Sequence, residues 1–129
     1  MGKGAVIHPS ARVWAPWNLI MDDYSCLGPR TDCYNAAPVR LGEYSVVSQY
    51  AFLCTATHDI SSLRLPLVTG PVELGKHAWV CADSFIGPGV TVGEGAVVGA
   101  RSSAYKDVAP WTVVTGNPAR FLKVRVVNR

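Results

Sequence analysis

The chain has 129 residues, of which 49% are hydrophobic and only 16% are charged. Soluble domains typically carry roughly 25% charged residues, so either part of this surface is buried against other copies of the chain or the fold needs little charge. The apolar content is too high for a disordered protein, and no apolar run approaches the roughly 20 residues of a membrane-spanning helix. The length predicts a single domain over residues 1–129.

The charge balance and the cysteines narrow the class of protein further. Twelve basic and nine acidic residues give a net charge of +3, which is too small to indicate a nucleic-acid-binding surface. No secretory signal begins the chain and no C-x-x-C pair occurs, which predicts a cytoplasmic protein with reduced, structural cysteines. Four basic residues and no acidic residue lie in the last ten positions. This cluster favours either a solvated tail or a site for a phosphorylated ligand.

A six-residue period runs through the second half of the chain. One set of positions is aliphatic: Leu74, Val80, Ile86, Val92, Val98 and Ala104. The residues four positions further on are small or β-branched: Ala78, Ser84, Val90, Ala96, Ser102 and Val108. This period fits neither an amphipathic helix nor an alternating strand. It predicts a triangular solenoid in which three hexads close one coil, with aliphatic residues inside and residues 18 apart stacked about 4.8 Å apart.

The first half of the chain keeps the same period with interruptions. The phase slips by two residues after Leu19 and after Val39, which predicts a bulge at one corner of each coil. No hexad phase is present over about 59–73, which predicts a loop that leaves the coil. The sequence therefore predicts an all-β fold of about five coils, near 1–20, 21–40, 41–73, 74–91 and 92–109. A terminal strand and a short C-terminal tail over about 116–129 are predicted to follow from Pro110.

Two further motifs accompany the hexads. One is Cys54-Thr55-Ala56-Thr57-His58-Asp59, and the other is Gly116-Asn117-Pro118-Ala119-Arg120 near the end of the chain. With these features nearly the whole chain resembles the hexapeptide-repeat O-acetyltransferases, above all the colanic-acid and exopolysaccharide type and also the maltose and galactoside enzymes. The resemblance implies a left-handed parallel β-helix and a homotrimer with active sites between subunits. It further implies acetyl-coenzyme A as donor, no metal, and a saccharide or similar small-molecule hydroxyl as acceptor.

The resemblance also implies the catalytic residues. His58 stands in the family's Thr-His-Asp context, and an imidazole can take the proton from an acceptor hydroxyl. Asn35 would bind the acceptor or the developing oxyanion, with a turn-stabilising asparagine as the alternative. Asp59 would contact acceptor hydroxyls or cap the start of the loop. Trp79 is expected to face outward, where it would line the thioester pocket or a trimer interface.

The residues expected to bind the donor come from the last coils, again by resemblance. Ala82 and Ala100 are 18 positions apart, so they should stack and let the pantetheine arm lie close to the backbone. Tyr105, which departs from the family's usual threonine or valine, and Lys106 would contact the donor. Arg120 and Lys123 would add positive charge for its phosphates.

Two other functions are compatible with this fold. The γ-type carbonic anhydrases need three zinc-binding histidines, and the spacing of His8, His58 and His77 does not match theirs. A non-catalytic structural subunit is the second alternative, against which the His58 motif and the donor motif both argue.

Overall fold

The computed structural model describes residues 1–128, which form short β-strands, tight turns and one single-turn 3₁₀ helix at Pro16–Asn18. The strands stack into three flat faces around a triangular core. Face A contains β1 (Val6–Ile7), β4 (Cys26–Leu27), β7 (Val46–Val47), β12 (Trp79–Val80), β15 (Val97–Val98), β17 (Thr112–Gly116) and β18 (Ala119–Val124). Face B contains β2 (Arg12–Val13), β5 (Asp32–Tyr34), β8 (Phe52–Cys54), β13 (Phe85–Ile86) and β16 (Ser103–Ala104). Face C contains β3 (Leu19–Met21), β6 (Val39–Leu41), β11 (Val72–Leu74) and β14 (Thr91–Val92). Outside these faces, β9 (Ala56–His58) and β10 (Leu67–Thr69) form a separate hairpin.

Each coil passes through faces A, B and C in turn, and stacked coils pair in parallel. Trp79 pairs with Val97 and Phe85 with Ser103, both 18 positions apart, as the hexads predict. The last coil reaches face C through a single parallel bridge between Val108 and Val92. The predicted parallel β-helix of about five triangular coils with one protruding loop is confirmed.

The core consists of the side chains that the hexad pattern assigned to the interior. The six aliphatic positions from Leu74 to Ala104 are at most 1% exposed. The six small positions from Ala78 to Val108 are at most 5% exposed. Each aliphatic side chain therefore packs on its counterparts in the coils above and below, and the small residues let the chain turn closely against the core.

The slips in the first half have a different cause from the predicted bulge. Face C is built there from three-residue strands, and the strand of the second coil buries both its first and its last residue, Val39 and Leu41. Leu19 pairs with Val39 and Met21 pairs with Leu41. Because side chains two positions apart point to the same side of a strand, the slip reflects a second inward residue rather than a corner bulge.

The predicted loop over 59–73 is a hairpin that ends earlier. Strand β9 pairs antiparallel with β10, and His58 lies opposite Leu67. The chain then returns to the coil before the predicted end, since Val72 and Glu73 already pair with Val39 and Arg40 in face C. The prediction was wrong for these two residues, because the six-residue phase resumes only at Leu74.

The C-terminal segment is more ordered than the predicted tail. Strand β17 extends face A, and β18 turns back and pairs antiparallel with it over Ala119–Val124. Arg125 then donates hydrogen bonds to the carbonyls of His77 and Gly95, both at 3.0 Å. Within residues 1–128, no helix is long and apolar enough to span a membrane.

The three corners are named by the faces that they join. Corner CA is regular, and each coil turns there through a residue with positive φ: Gly4, Tyr24, Tyr44, His77, Gly95 and Trp111. Corner BC is irregular, because it carries the 3₁₀ turn in the first coil and the hairpin in the third.

Candidate functional site

His58 lies on the hairpin that projects from corner BC. Its side chain is exposed, and its Nδ1 atom lies 2.7 Å from the backbone carbonyl oxygen of Leu65. A carbonyl can only accept a hydrogen bond, so Nδ1 carries the proton and donates. The neutral ring then presents Nε2 with a free lone pair, which is the form of imidazole that can accept a proton.

The turn of the hairpin fixes this contact. Leu65 adopts φ +48°, a left-handed conformation that leucine rarely takes. Its amide donates to Ser62 O at 3.0 Å, and the Asp59 amide donates to Pro66 O at 3.0 Å. The carbonyl that orients His58 is therefore part of a hydrogen-bonded turn.

Asp59 begins this turn. Its Oδ1 atom accepts hydrogen bonds from the Ser61 hydroxyl at 2.6 Å and from the Ser61 amide at 2.9 Å. These two bonds lower the pKa of the Asp59 carboxyl below its ordinary value. The contacts favour the loop-capping alternative for Asp59, although the exposed carboxylate keeps room for further hydrogen bonds.

Asn35 is completely buried at corner BC of the second coil. Its Oδ1 atom accepts from the Ala15 amide at 2.8 Å, and its Nδ2 atom donates to the Ala15 carbonyl at 2.7 Å. The side chain thus joins the first two coils as a strand pair would. This arrangement favours the structural alternative, because both ends of the amide are already engaged.

A pocket of about 390 Å³ lies at the C-terminal end of the prism, between corner BC of the last coil and strand β18 of face A. It is lined by Tyr105 and Lys106 from the last coil and by Arg120 and Phe121 from β18. Among the described residues, neither Lys106 nor Arg120 forms an ion pair. Asp107 also lines the pocket, and its Oδ1 atom accepts a hydrogen bond from the Thr91 amide at 2.8 Å. The pocket therefore offers two cations, one carboxylate and two aromatic rings, and its excess of positive charge suits an anionic ligand.

The hairpin and the pocket lie along the same corner, with the fourth coil between them. A Cβ on Gly70, at the base of the hairpin, would lie 2.8 Å from Gly89 N, and one on Gly87 would lie 3.5 Å from a ring carbon of Tyr105. Two steps of about 4.8 Å separate the hairpin's coil from that of Tyr105. The edge between them is lined by small residues, which leaves space for an extended ligand.

The remaining predicted residues lie elsewhere on the chain. Trp79 faces outward on face A, as predicted, with 43% of its surface exposed, and donates to the Ser48 hydroxyl at 2.8 Å. Ala82 and Ala100 are in adjacent coils at corner AB, where the Arg101 amide donates to Ala82 O at 2.9 Å. Lys123 is exposed on β18 but does not line the pocket. One chain therefore places His58, Tyr105 and Lys106 along corner BC, and Arg120 joins the pocket from face A. Trp79, Ala82, Ala100 and Lys123 lie away from both.

The three histidines occupy three different corners. His8 follows β1 at corner AB, His58 is at corner BC, and His77 precedes β12 at corner CA. In residues 1–128, no group of three or more His, Cys, Asp or Glu side chains is placed to hold a metal ion.

Two contributors to this site escaped the sequence analysis. Leu65 acts through its backbone carbonyl, and no side-chain pattern reveals such a role. Phe121 lines the pocket beside Arg120. The apolar run after the terminal motif could have indicated a strand there, but the segment was interpreted as a tail.

Comparison with known proteins supports the assignment of the fold. No protein-family model matches the chain. It is 40% identical over 126 residues to WcaF of Escherichia coli K12, assigned as a colanic acid biosynthesis acetyltransferase. The match covers 98% of this chain and 69% of the relative.

Two solved structures are also similar. A hexapeptide-repeat acetyltransferase from Vibrio cholerae in complex with acetyl-coenzyme A has 25% identity and a TM-score of 0.79, covering 95% of this chain and 71% of that one. The S84C mutant of AntD, an N-acyltransferase from Bacillus cereus in complex with coenzyme A and a dTDP-amino sugar, has 26% identity and a TM-score of 0.80, covering 98% and 83%. With the repeat, the hairpin and these similarities, the chain belongs to the hexapeptide-repeat acetyltransferase family and is an acyltransferase.

Proposed function

We propose that the chain transfers an acetyl group from acetyl-coenzyme A to a hydroxyl of a saccharide, with His58 as general base. The observation that carries the proposal is the arrangement at corner BC. His58, with Nε2 free to accept a proton, projects from corner BC two coils, or about 10 Å along the prism, from the coil whose Tyr105 and Lys106 line the cationic pocket.

In the proposed reaction, Nε2 of His58 removes the proton as the acceptor oxygen attacks the thioester carbonyl. The tetrahedral intermediate collapses, the C–S bond breaks, and the coenzyme thiolate takes the proton back from His58. The Nδ1–H bond to Leu65 holds the ring while the second nitrogen gains and loses its proton. No covalent acyl-enzyme forms. Since Asn35 is engaged with Ala15, a backbone N–H is the better candidate for the oxyanion donor.

The pocket at the C-terminal end of corner BC is the proposed site of the coenzyme phosphates. Lys106 and Arg120 form no ion pair with any residue of 1–128, and charge-assisted hydrogen bonds to phosphate are strong. The acetyl-coenzyme A complex of the Vibrio cholerae relative supports this choice of donor. The pantetheine arm would then run along Gly87 and Gly89 toward His58.

A saccharide acceptor is supported by the assignment of the Escherichia coli relative to colanic acid biosynthesis. The AntD complex holds an amino sugar and is described as an N-acyltransferase. We propose a hydroxyl oxygen as the acceptor atom of this chain, and the acceptors tested below include amino sugars for comparison. The cytoplasmic location stays a prediction from the sequence.

We further propose that the protein is a homotrimer with active sites between subunits. The outward side chains of face A are mainly apolar, with Val6, Val46 and Trp79 exposed in a single chain. Such a face is typical of a buried interface. Trp79, Ala82 and Ala100 lie away from the pocket of their own chain, so the donor would meet them on a neighbouring subunit.

Free-thiol release from acetyl-coenzyme A tests the activity across neutral saccharides, amino sugars and serine. Sedimentation measures the assembly, and Val46→Arg places a charge in the middle of face A. We expect the variant to become monomeric and to lose at least about tenfold in affinity for acetyl-coenzyme A, because its neighbour's residues are removed.

The matched control is Ile20→Arg, which places the same charge on face C and should leave the trimer intact. A wild-type protein that sediments as a monomer would contradict the trimer. Coenzyme binding without thiol release from any acceptor would favour the non-catalytic alternative, and no coenzyme binding at all would remove the donor assignment.

A further inference from the structure

Two tryptophans are exposed at corner BC of the first coil. Trp14 is 57% exposed, and Trp17, within the 3₁₀ turn, is 81% exposed. Tryptophan is highly buried on average in folded proteins, so two exposed indoles at one corner indicate a surface that contacts another molecule. The proposed reaction gives neither of them a role.

Hydrogen bonds connect this surface to the coil of His58. Ala15 exchanges two hydrogen bonds with Asn35. In the next step along the corner, the hydroxyl and the amide of Thr55 both donate to the carbonyl of Tyr34, at 2.8 and 3.1 Å. The tryptophans therefore lie about two strand spacings, or about 10 Å, from the start of the hairpin. They lie on the opposite side of His58 from the cationic pocket.

The surroundings of Trp14 suit a neutral, hydroxyl-rich ligand. Its ring packs edge-on against Tyr34 with centroids 4.9 Å apart, and its Nε1 atom donates to Asp32 Oδ1 at 3.2 Å. Arg12 lies next to Asp32 in face B. Aromatic rings cover the apolar C–H faces of a sugar, while a carboxylate and a guanidinium can bind its hydroxyls.

The charges divide corner BC into two ends. The C-terminal end has two cations, Lys106 and Arg120, against one carboxylate, Asp107, and neither cation forms an ion pair within residues 1–128, so its net positive charge suits the anionic donor. At the N-terminal end one cation, Arg12, pairs in register with one carboxylate, Asp32, so this end carries no net charge and favours an uncharged ligand. His58 lies between the two ends, where the acetyl group would pass from donor to acceptor.

We propose that Trp14, Trp17, Tyr34 and Asp32 form the subsite for a neutral saccharide acceptor, with a sugar ring stacked on the exposed indole of Trp17. The subsite rests on the proposed acetyl transfer at His58. Because it extends about 10 Å from the hairpin, it should favour an oligosaccharide over a monosaccharide.

The test measures saccharide binding by calorimetry without any donor, using neutral mono- to tetrasaccharides of glucose, galactose and fucose. Trp17→Ala should raise the Kd of the best saccharide, and its KM in acetyl transfer, by about tenfold to a hundredfold. Trp17→Phe should recover most of the loss, because it restores an aromatic face. The Kd for acetyl-coenzyme A and the sedimentation of the trimer should not change in either variant.

The outcomes separate this subsite from the reaction. Saccharide binding that depends on Trp17, without acetyl transfer, would keep the subsite and overturn the proposed activity. Acetyl transfer with unchanged acceptor KM in both Trp14→Ala and Trp17→Ala would keep the activity and overturn the subsite. Dissociation of the trimer in Trp17→Ala would show that a second copy of the chain covers the indole, and this outcome would also overturn the subsite.

Discussion

Corners BC and CA each carry a histidine, but their backbones differ, because corner CA repeats one regular turn and corner BC is interrupted by a 3₁₀ turn and a hairpin. At corner CA, Tyr24 stacks on Tyr44 at 5.1 Å between ring centroids, and Tyr44 stacks on His77 at 5.2 Å. At corner BC, His58 is raised on a hairpin, and its ring is hydrogen-bonded to the Leu65 carbonyl. Stacking on Tyr44 covers one ring face of His77, whereas His58 has no aromatic partner within residues 1–128, so the chemistry is expected where the repeat is interrupted.

The largest expected contrast is between the two histidines. His58→Ala should lower turnover by about 10²–10⁴, since the acceptor hydroxyl loses its general base. His77→Ala should leave turnover within a few-fold of the wild type and lower the free energy of unfolding by about 0.5–1.5 kcal/mol, because it loses its stacking on Tyr44. Thiol release at saturating donor and urea unfolding measure the two effects. Equal losses of turnover in both variants would break the distinction between the corners.

Substitution of one glycine at each corner measures how tightly corners CA and BC are packed. A Cβ on Gly95, at corner CA, would lie 2.3 Å from Cε3 of Trp111, and the residue has φ +68°. Gly95→Ala should therefore cost about 2–5 kcal/mol of unfolding free energy from overpacking and left-handed strain together.

Gly89 at corner BC has φ +78° and nothing within 4 Å of the Cβ position. Gly89→Ala should cost only the backbone strain, about 1–2 kcal/mol. Urea unfolding of both variants gives the comparison directly. A larger loss at Gly89 than at Gly95 would mean that corner BC is as closely packed as corner CA.

The smallest contrast involves two arginines near the end of the chain. Arg120→Ala should raise the Kd for acetyl-coenzyme A about tenfold, because one charge-assisted hydrogen bond is lost. The free energy of unfolding should be nearly unchanged. Arg125→Ala should leave that Kd unchanged and cost about 1–2 kcal/mol of stability, because the carbonyls of His77 and Gly95 lose their donor. Titration calorimetry measures the Kd, and urea unfolding measures the stability. A weaker Kd in Arg125→Ala, or a loss of stability in Arg120→Ala, would contradict these roles.

The interior of the fold could be predicted because a single rule governs it. Each inward residue from Leu74 to Ala104 must fill the same narrow prism, so the same residue types recur every six positions. The outer contacts follow no such rule. The two hydrogen bonds between Asn35 and Ala15 join residues 20 positions apart. The sequence predicts a spacing of 20 residues between the first coils, but it does not indicate which group the Asn35 side chain contacts.

The residue types of the candidate site could be proposed from the sequence, but their arrangement could not. The histidine motif indicates His58, which lies at corner BC, and the terminal motif indicates Arg120, which reaches the pocket from face A. The pairing of β9 with β10 depends on the turn around Leu65, whose left-handed φ has no sequence signal in a leucine. The strand β18, which brings Arg120 and Phe121 to the pocket, carries no alternating sequence signal, because every residue from Arg120 to Val124 is exposed.

The hairpin at corner BC has a consequence for how this fold can change. Val46 and Trp79 are 33 positions apart, yet they pair in register as closely as the residues 18 apart in the following coils. The coils on either side therefore do not depend on what the chain does between Thr55 and Gly70, where the Gly70 amide closes the excursion on the Thr55 carbonyl at 2.8 Å. A segment closed on itself in this way can be lengthened, shortened or exchanged while the prism stays intact. The proposed base and the turn that orients it thus form one transferable segment. We expect that grafting residues 56–69 onto another coil of a similar solenoid would move His58 together with its Leu65 contact.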